Sequence, residues 1–552
     1  MSRGSRVAGH RFRNAPRRLP VVTAALVTAL VMATGLAAAG GGQTVPGRHD
    51  DHGRFSARAE GFPPQPVDLA GQASVAVTPR SQAAANGALR TALADVEVRR
   101  ALGADPRLVG VEEVSDKSGG APPAFRVTWY APHDDHSVTT VVQGAGVVSV
   151  DRTPAAEWQP PLTAAEVDDA IAIARAHFVE AGRSGMAQLE GFAMAPMDPD
   201  GSFPATRMAY VTFHAHVDAR PQLLTWVDLS TGTVTDSRTA PADPSPASAS
   251  HGTDTFAGPS GPEVPRSGSV DWNGWSLDYD VSGRMDGVSL NDVTYHGTMV
   301  LARASMPAMT VFYDQDVCGP FVDRLGGDLT PVDWAGGQEV VLREFQQHGA
   351  AWLEIGILDT IGNYVLYQAF YLGTRGQLDV HTFAKGIQCP NDHLHYPFWR
   401  LDFDLAGAEG DRITRRTPDG AEEVMTTEFD ASAADAADHG WVVHDIRTGH
   451  RVLVDFDDGT WNVPGQVVPE TVYEQNRVYG RRYSDADAGP WPGVRAVTEL
   501  GGNEGRHLDG EDLVMWYRGF LPHADSEGPD LWHSTGVRLT VELQRTHYIR
   551  PR

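Results

Sequence analysis

From residue 269 to residue 552 the chain is a succession of short, alternating apolar runs broken by Gly-rich turns. Val288-Ser-Leu290, Val293-Thr-Tyr295 and Met309-Thr-Val-Phe-Tyr313 open the series, and only Ala431 to Ala437 carries a helical signal. Alternation sends successive side chains to opposite faces, so each run buries one face and needs a second sheet to cover it. So many short strands predict a large antiparallel β-sandwich.

The first half reads differently. Ala83 to Gly103 has helical spacing through Leu89, Leu93, Val96, Val98 and Leu102. Strand-like runs follow at Phe125–Tyr130, Ser137–Val142 and Gly146–Val150. The order then repeats. Thr163-Ala-Ala-Glu166 is a capping box opening a helix through His177, with strands at Met208–Phe213, Gln222–Val227 and Gly232–Thr235. The fold class expected is therefore mainly β: a sandwich over 269–552, preceded by two small α+β domains over 81–157 and 158–240. A Pro/Ser/Gly-rich linker over 241–268 separates the halves.

Residues 1–40 are set apart by Arg3, Arg6, Arg11, Arg13, Arg17 and Arg18 ahead of an apolar, alanine-rich run that closes in small residues. They read as a signal peptide, with 41–80 as a flexible lead-in, so a secreted protein is expected. Arg17-Arg18 also fits twin-arginine export. A retained anchor is the competing reading of the run; no later segment is apolar enough to span a bilayer. The formal charge of −26 repels nucleic acid and favours cationic ligands such as amines. Cys318 and Cys389 are the two cysteines, and in an exported chain they are expected to form one disulfide.

Chemistry concentrates between Tyr364 and Asp402. Period two puts Tyr364, Leu366, Gln368 and Phe370 on one strand face, and the Gly373-Thr-Arg-Gly376 turn leads back through Leu378, Val380 and Thr382. His393-Leu-His395 puts two imidazoles on one face. A third would complete a nitrogen-rich site suited to copper, with the tyrosine as an oxidisable partner. Taken alone, each residue also fits an ordinary core position. A cupin would place a glutamate a few residues after His-x-His, and Tyr396-Pro-Phe-Trp-Arg-Leu401 supplies none.

Several segments, in order, resemble the catalytic domain of the copper amine oxidases. They are Val270-Asp-Trp-Asn-Gly-Trp275, Val288–Tyr295, Arg303–Tyr313, Thr360-Ile-Gly-Asn363-Tyr364, His393-Leu-His395, Arg400-Leu-Asp402-Phe-Asp404 and Asp512-Leu-Val-Met-Trp516. The two small domains resemble that family's paired domains, including Arg220-Pro-Gln-Leu-Leu-Thr-Trp-Val-Asp-Leu229. The resemblance implies oxidative deamination of primary amines by dioxygen, giving aldehyde, ammonia and hydrogen peroxide. It implies Tyr364 as the precursor of topaquinone beside Asn363, and His393, His395 and His523 as copper ligands. Asp402, the carbonyl of Phe403 and Asp512 would hold a second metal, usually calcium. A homodimer is implied as well.

Three positions depart from the family pattern. Val365 stands where an acid usually follows the cofactor tyrosine. The segment carrying the catalytic base is shortened, leaving Asp323 as the leading candidate and Asp314 and Asp316 as rivals. The run after His523 differs, so His533 and then His381 are fallback ligands. A non-catalytic copper-binding or scaffold descendant is the alternative to the enzyme, and a metal–radical oxidase without quinone is a third reading.

Overall fold

A single aspartate breaks the helix expected over Ala83–Gly103. Asp95 accepts hydrogen bonds from the Glu97 and Val98 amides and caps a second helix, giving Ala83–Ala94 and Val96–Leu102 in place of one. The computed structural model describes residues 77–79, 83–114, 123–183, 185, 188–198, 202–215, 221–239, 264–281, 286–313, 319–323, 340–347, 349–361, 364–386, 392–437, 440–456, 475–484, 494–496, 499–523 and 533–544. All fall within one unit, Glu60–Arg552. The signal peptide, nearly all of the lead-in and of the linker, Asn363, Asp314, Asp316, Cys318 and Cys389 lie outside the described residues, while Thr78–Pro79 at the end of the lead-in forms a short strand paired with Gly268 and Ser269. Among the described residues, no helix is long and apolar enough to cross a membrane.

The two helices pack Ala88, Ala92, Val98 and Leu102 against Phe125, Val127, Trp129 and Val138 of a four-stranded antiparallel sheet. Its first strand, Arg107–Val114, escapes the sequence pattern because Gly110, Glu112 and Glu113 interrupt the apolar alternation. Glu112 is buried for a reason. Arg126 donates to it at 2.8 Å, and Arg303 of the sandwich also donates to Asp286 at 2.7 Å and to the Glu113 carbonyl at 3.0 Å. This network fastens the sheet to the sandwich.

The second unit of the repeat forms where its capping box predicts. Thr163 and Glu166 satisfy each other's backbone amides and open the helix Ala164–Glu180. Ala170, Ala174 and Phe178, four residues apart, face Phe213 and Leu223 of a second four-stranded sheet, Glu190–Met194, Met208–His214, Pro221–Asp228 and Thr233–Thr239.

The sandwich has an 11-stranded and a 9-stranded sheet, both antiparallel. The first centres on Thr298–Tyr313, His393–Phe403 and Leu513–Arg518. The second centres on Ala350–Ile361, Tyr364–Gly373, Gln377–Lys385 and His533–Glu542. Leu301, Met309 and Leu401 from one sheet and Ile355, Leu366 and Phe370 from the other share one core, whose burial supplies most of the stabilisation. Polar bonds cross it at fixed points: Trp399 Nε1 donates to Thr382 Oγ1 at 3.0 Å, and the Gln368 amide makes two bonds with the Val288 backbone. The predicted Val288 and Val293 runs are one strand, Ser289–Tyr295, and the helical signal near Ala431 is one 3-10 turn, Ala433–Asp435.

Candidate metal and tyrosine site

Four strand ends meet inside the sandwich. Tyr364 begins its strand and is 1% exposed, pointing with Leu366, Gln368 and Phe370 into the core as period two requires. The His393–Phe403 strand of the facing sheet starts opposite it. There His393 pairs with Tyr313 on one side and with His523 of the short strand Leu521–His523 on the other.

These pairings place aromatic rings in contact across the sandwich. The Tyr364 ring centre lies 5.3 Å from that of His393 and 4.9 Å from that of His395. His393 lies 5.1 Å from His395 and 4.8 Å from His523. His533, which begins the last strand of the 9-stranded sheet, brings a fourth imidazole, 4.3 Å from His523. Tyr313 stacks on His393 at 5.3 Å, and its hydroxyl is 2.5 Å from that of Tyr364. Tyr364, His393, His395 and His523 are thus brought together. His381 is not: it pairs with Ala369 and packs near Phe383 and Tyr371 on the outer face of its sheet.

Burial sets the electrostatics. His395 is held well below the ordinary histidine pKa by burial and then by His393, His523 and His533. Neither of its ring nitrogens has a hydrogen-bond partner among the described residues. A neutral imidazole with buried lone pairs suits a metal. His533 is pushed down to about 3 by burial and His523. The Tyr313 hydroxyl is raised well above the usual tyrosine value, by burial first, then Tyr364 and Asp323.

Asp323 ends the short strand Phe321–Asp323 and pairs with Met309, which shares a strand face with Tyr313. Burial raises its carboxyl to about 8, and Oδ1 has no hydrogen-bond partner among the described residues. The second small sheet props this strand up. Met197 N donates to Pro320 O at 2.9 Å, and the Tyr210 ring lies 5.0 Å from Phe321.

Val365 points the other way from Tyr364 and packs against the outer cluster containing Val341, Leu358 and Tyr367. The residue that departs from the family pattern therefore lies on the face away from the histidines.

A second group sits at the far end of the His393–Phe403 strand, about 23 Å along it from His395 at the usual rise per residue. Asp402, Asp404 and Asp512 bring carboxylate oxygens within 4.8 Å of one another, the only such donor set among the described residues. Arg400 donates to Asp402 at 3.2 Å. Asp411 beside it is pushed up to about 8, by burial first and then by Asp404, Asp445 and Asp512, despite the Leu405 amide it accepts. Phe403 is buried between Leu301 and Leu513 on neighbouring strands. Neither Asp404 nor Tyr313 was expected at these sites from the sequence. Asp404 lies two residues after Asp402, a spacing that could have flagged it; a lone strand tyrosine such as Tyr313 carries no local signal.

No family model matches the sequence, and no curated protein does. Solved structures do match. A copper-containing benzylamine oxidase from Hansenula polymorpha superposes with a TM-score of 0.60 at 12% identity, over 84% of this chain and 97% of that one. A Pichia pastoris lysyl oxidase gives 0.52 at 13%, over 88% and 92%. An Aspergillus nidulans amine oxidase gives 0.51 at 13%, over 88% and 90%. The chain has the fold of these amine oxidases, and at such identity the likeness concerns fold alone.

Proposed function

We propose that this chain is a copper-dependent primary-amine oxidase whose organic cofactor, topaquinone, is made from its own Tyr364. The observation that carries the reading is the burial of Tyr364 against His393 and His395, with its hydroxyl on Tyr313, between the two sheets of this fold.

The residues beside Tyr364 suit the metal in kind, since neutral imidazoles are donors copper takes, although their nitrogens do not converge within 4.8 Å of one another as the aspartate oxygens do. Imidazoles bound side by side, with metal–nitrogen bonds of about 2.0–2.1 Å, have ring centres roughly 4.5–5 Å apart. The His393–His523 separation of 4.8 Å falls in that range, and the His393–His395 separation of 5.1 Å lies just above it. The unpartnered nitrogens of His395 supply the donor. Copper bound there would activate dioxygen against the neighbouring phenol, and the resulting quinone would accept the amine.

The chain's own groups do the rest. Tyr313 holds the oxygen of residue 364 and fixes the ring's plane against His393. Packing at Leu366 and Phe370 anchors the strand and excludes water from the ring. Asp323 Oδ1 takes the proton from the carbon next to the substrate nitrogen. Near pH 7 an unliganded Asp323 is largely protonated, since burial raises it to about 8. A cationic amine arriving beside it favours the carboxylate, so substrate binding itself generates the base.

Asp402, Asp404 and Asp512 offer oxygen donors of the kind a hard cation such as calcium takes, with the Phe403 carbonyl as a further donor. The same reading carries an exported homodimer using a primary amine and dioxygen. The test is amine-dependent peroxide release from metal-free protein reloaded with copper in air. Release that requires copper and is lost in Tyr364→Phe supports the reading; copper binding with no release would favour the non-catalytic descendant.

A further inference from the structure

We propose that Tyr367 is a second oxidisable residue of this chain, one that gives up an electron while its phenol proton passes to Glu354. The pair lies on the outer face of the strand that carries Tyr364. Only the natural source of its oxidant rests on the reading of Tyr364 given above.

The alternation that turns Tyr364 inward turns Tyr367 outward, three residues further on and about 10 Å along the strand. Tyr367 and Glu354 are both fully buried. The Tyr367 hydroxyl donates to Glu354 Oε1 at 2.6 Å, a length typical of a hydroxyl on a charged carboxylate. Arg343, opposite Glu354 on the neighbouring strand Val340–Gln347, donates through Nε to Oε2 of the same carboxylate. Gly356 makes room for the pair. A Cβ there would come within 2.5 Å of the Tyr367 hydroxyl oxygen and 2.7 Å of the carbon that bears it.

A buried phenol loses an electron readily only when its proton has somewhere to go, because the cation left behind would be a charge in an apolar interior. Two buried tyrosines of the same core as Tyr364 lack that outlet. The Tyr313 hydroxyl meets a second phenol, and the Tyr210 hydroxyl has no partner among the described residues. At Tyr367 the acceptor is in place. One electron leaves the phenol for a one-electron oxidant, and the proton crosses to Glu354 Oε1. A neutral phenoxyl beside a carboxylic acid remains, and no bond between heavy atoms forms or breaks. The oxidant, of the class that hydrogen peroxide forms at a redox metal, is reduced by one electron in the same step. Tyr367 would then draw stray oxidising equivalents away from the Tyr364 site.

Metal-free full-length protein, photo-oxidised with a ruthenium polypyridyl and persulfate and then freeze-quenched, tests this by EPR without any turnover assay. The wild type should show a long-lived neutral tyrosyl radical that is lost in Tyr367→Phe and in Glu354→Gln, and kept in Tyr364→Phe. Absence of that radical from the wild type overturns the proposal, as does a radical undiminished in Tyr367→Phe or in Glu354→Gln. Loss in Tyr364→Phe instead would place the radical on residue 364 and overturn it too. If Glu354→Gln does not fold, Tyr367→Phe, which leaves Glu354 its bond from Arg343, decides alone. Whether Tyr364 becomes a quinone is read separately, by adding copper and air.

Discussion

The hydroxyls of Tyr313 and Tyr364 lie 2.5 Å apart, both buried, although the residues belong to opposite sheets of the sandwich. The contact follows from register: Tyr313 pairs with His393, and His393 faces the first residue of the Tyr364 strand. A phenol so held has little freedom to turn away from the imidazoles. Removing the Tyr313 hydroxyl while keeping its ring isolates that effect. Tyr313→Phe should leave the fold intact and slow modification of Tyr364 roughly tenfold, the equivalent of one buried hydrogen bond of about 1–1.5 kcal/mol. Time courses of modification after copper addition measure it.

Asp323 is assigned the proton-transfer step because its buried Oδ1 shares a strand face with Tyr313. Asp323→Asn should lower amine turnover by about 10²–10⁴-fold. Modification of Tyr364 should survive. A variant that loses both together would place Asp323 in folding or metal uptake instead.

The same carboxyl predicts a pH effect on stability. Its folded value, about 8, lies above the ordinary aspartate value, so between pH 4 and pH 8 the folded state binds the proton that the unfolded chain releases. Its contribution is therefore full below pH 4 and is lost as pH rises through 8. Asp323→Asn should remove that loss. Measured by urea unfolding, the variant should gain stability over the wild type as pH rises across this window, and the difference should level off above it.

The three clustered aspartates predict a stabilising cation. Calcium at a hundredfold excess over its Kd should add about 2.7 kcal/mol. Chelation should lower the Tm of the wild type, and Asp404→Asn should remove most of that response. The copper spectrum should change little, because the cluster lies at the far end of the shared strand.

Period two made much of this legible. It aligned Tyr364 with Leu366, Gln368 and Phe370, and it put His393 beside His395, because a strand buried on one face leaves no freedom of register. His523 is separated from its partner by more than a hundred residues, so only resemblance reached it. Tyr313 was harder still, since its proximity depends on which strands face each other across the sandwich, and His533 was reached only as a fallback for His523. The helix break at Asp95 is different: the signal was present, but an apolar spacing that continues past a cap conceals it. His381 shows the converse error. It was held as a second fallback ligand, yet period two turns it to the outer face.

If Tyr364 becomes a quinone through copper bound at the neighbouring histidines, the conversion can be followed on the residue itself. Metal-free protein should be given copper and air, treated with phenylhydrazine, digested and mapped by mass spectrometry. A visible chromophore and an adduct on residue 364 are expected, absent without copper and absent in His395→Ala. Copper bound tightly with an unmodified Tyr364 would contradict it.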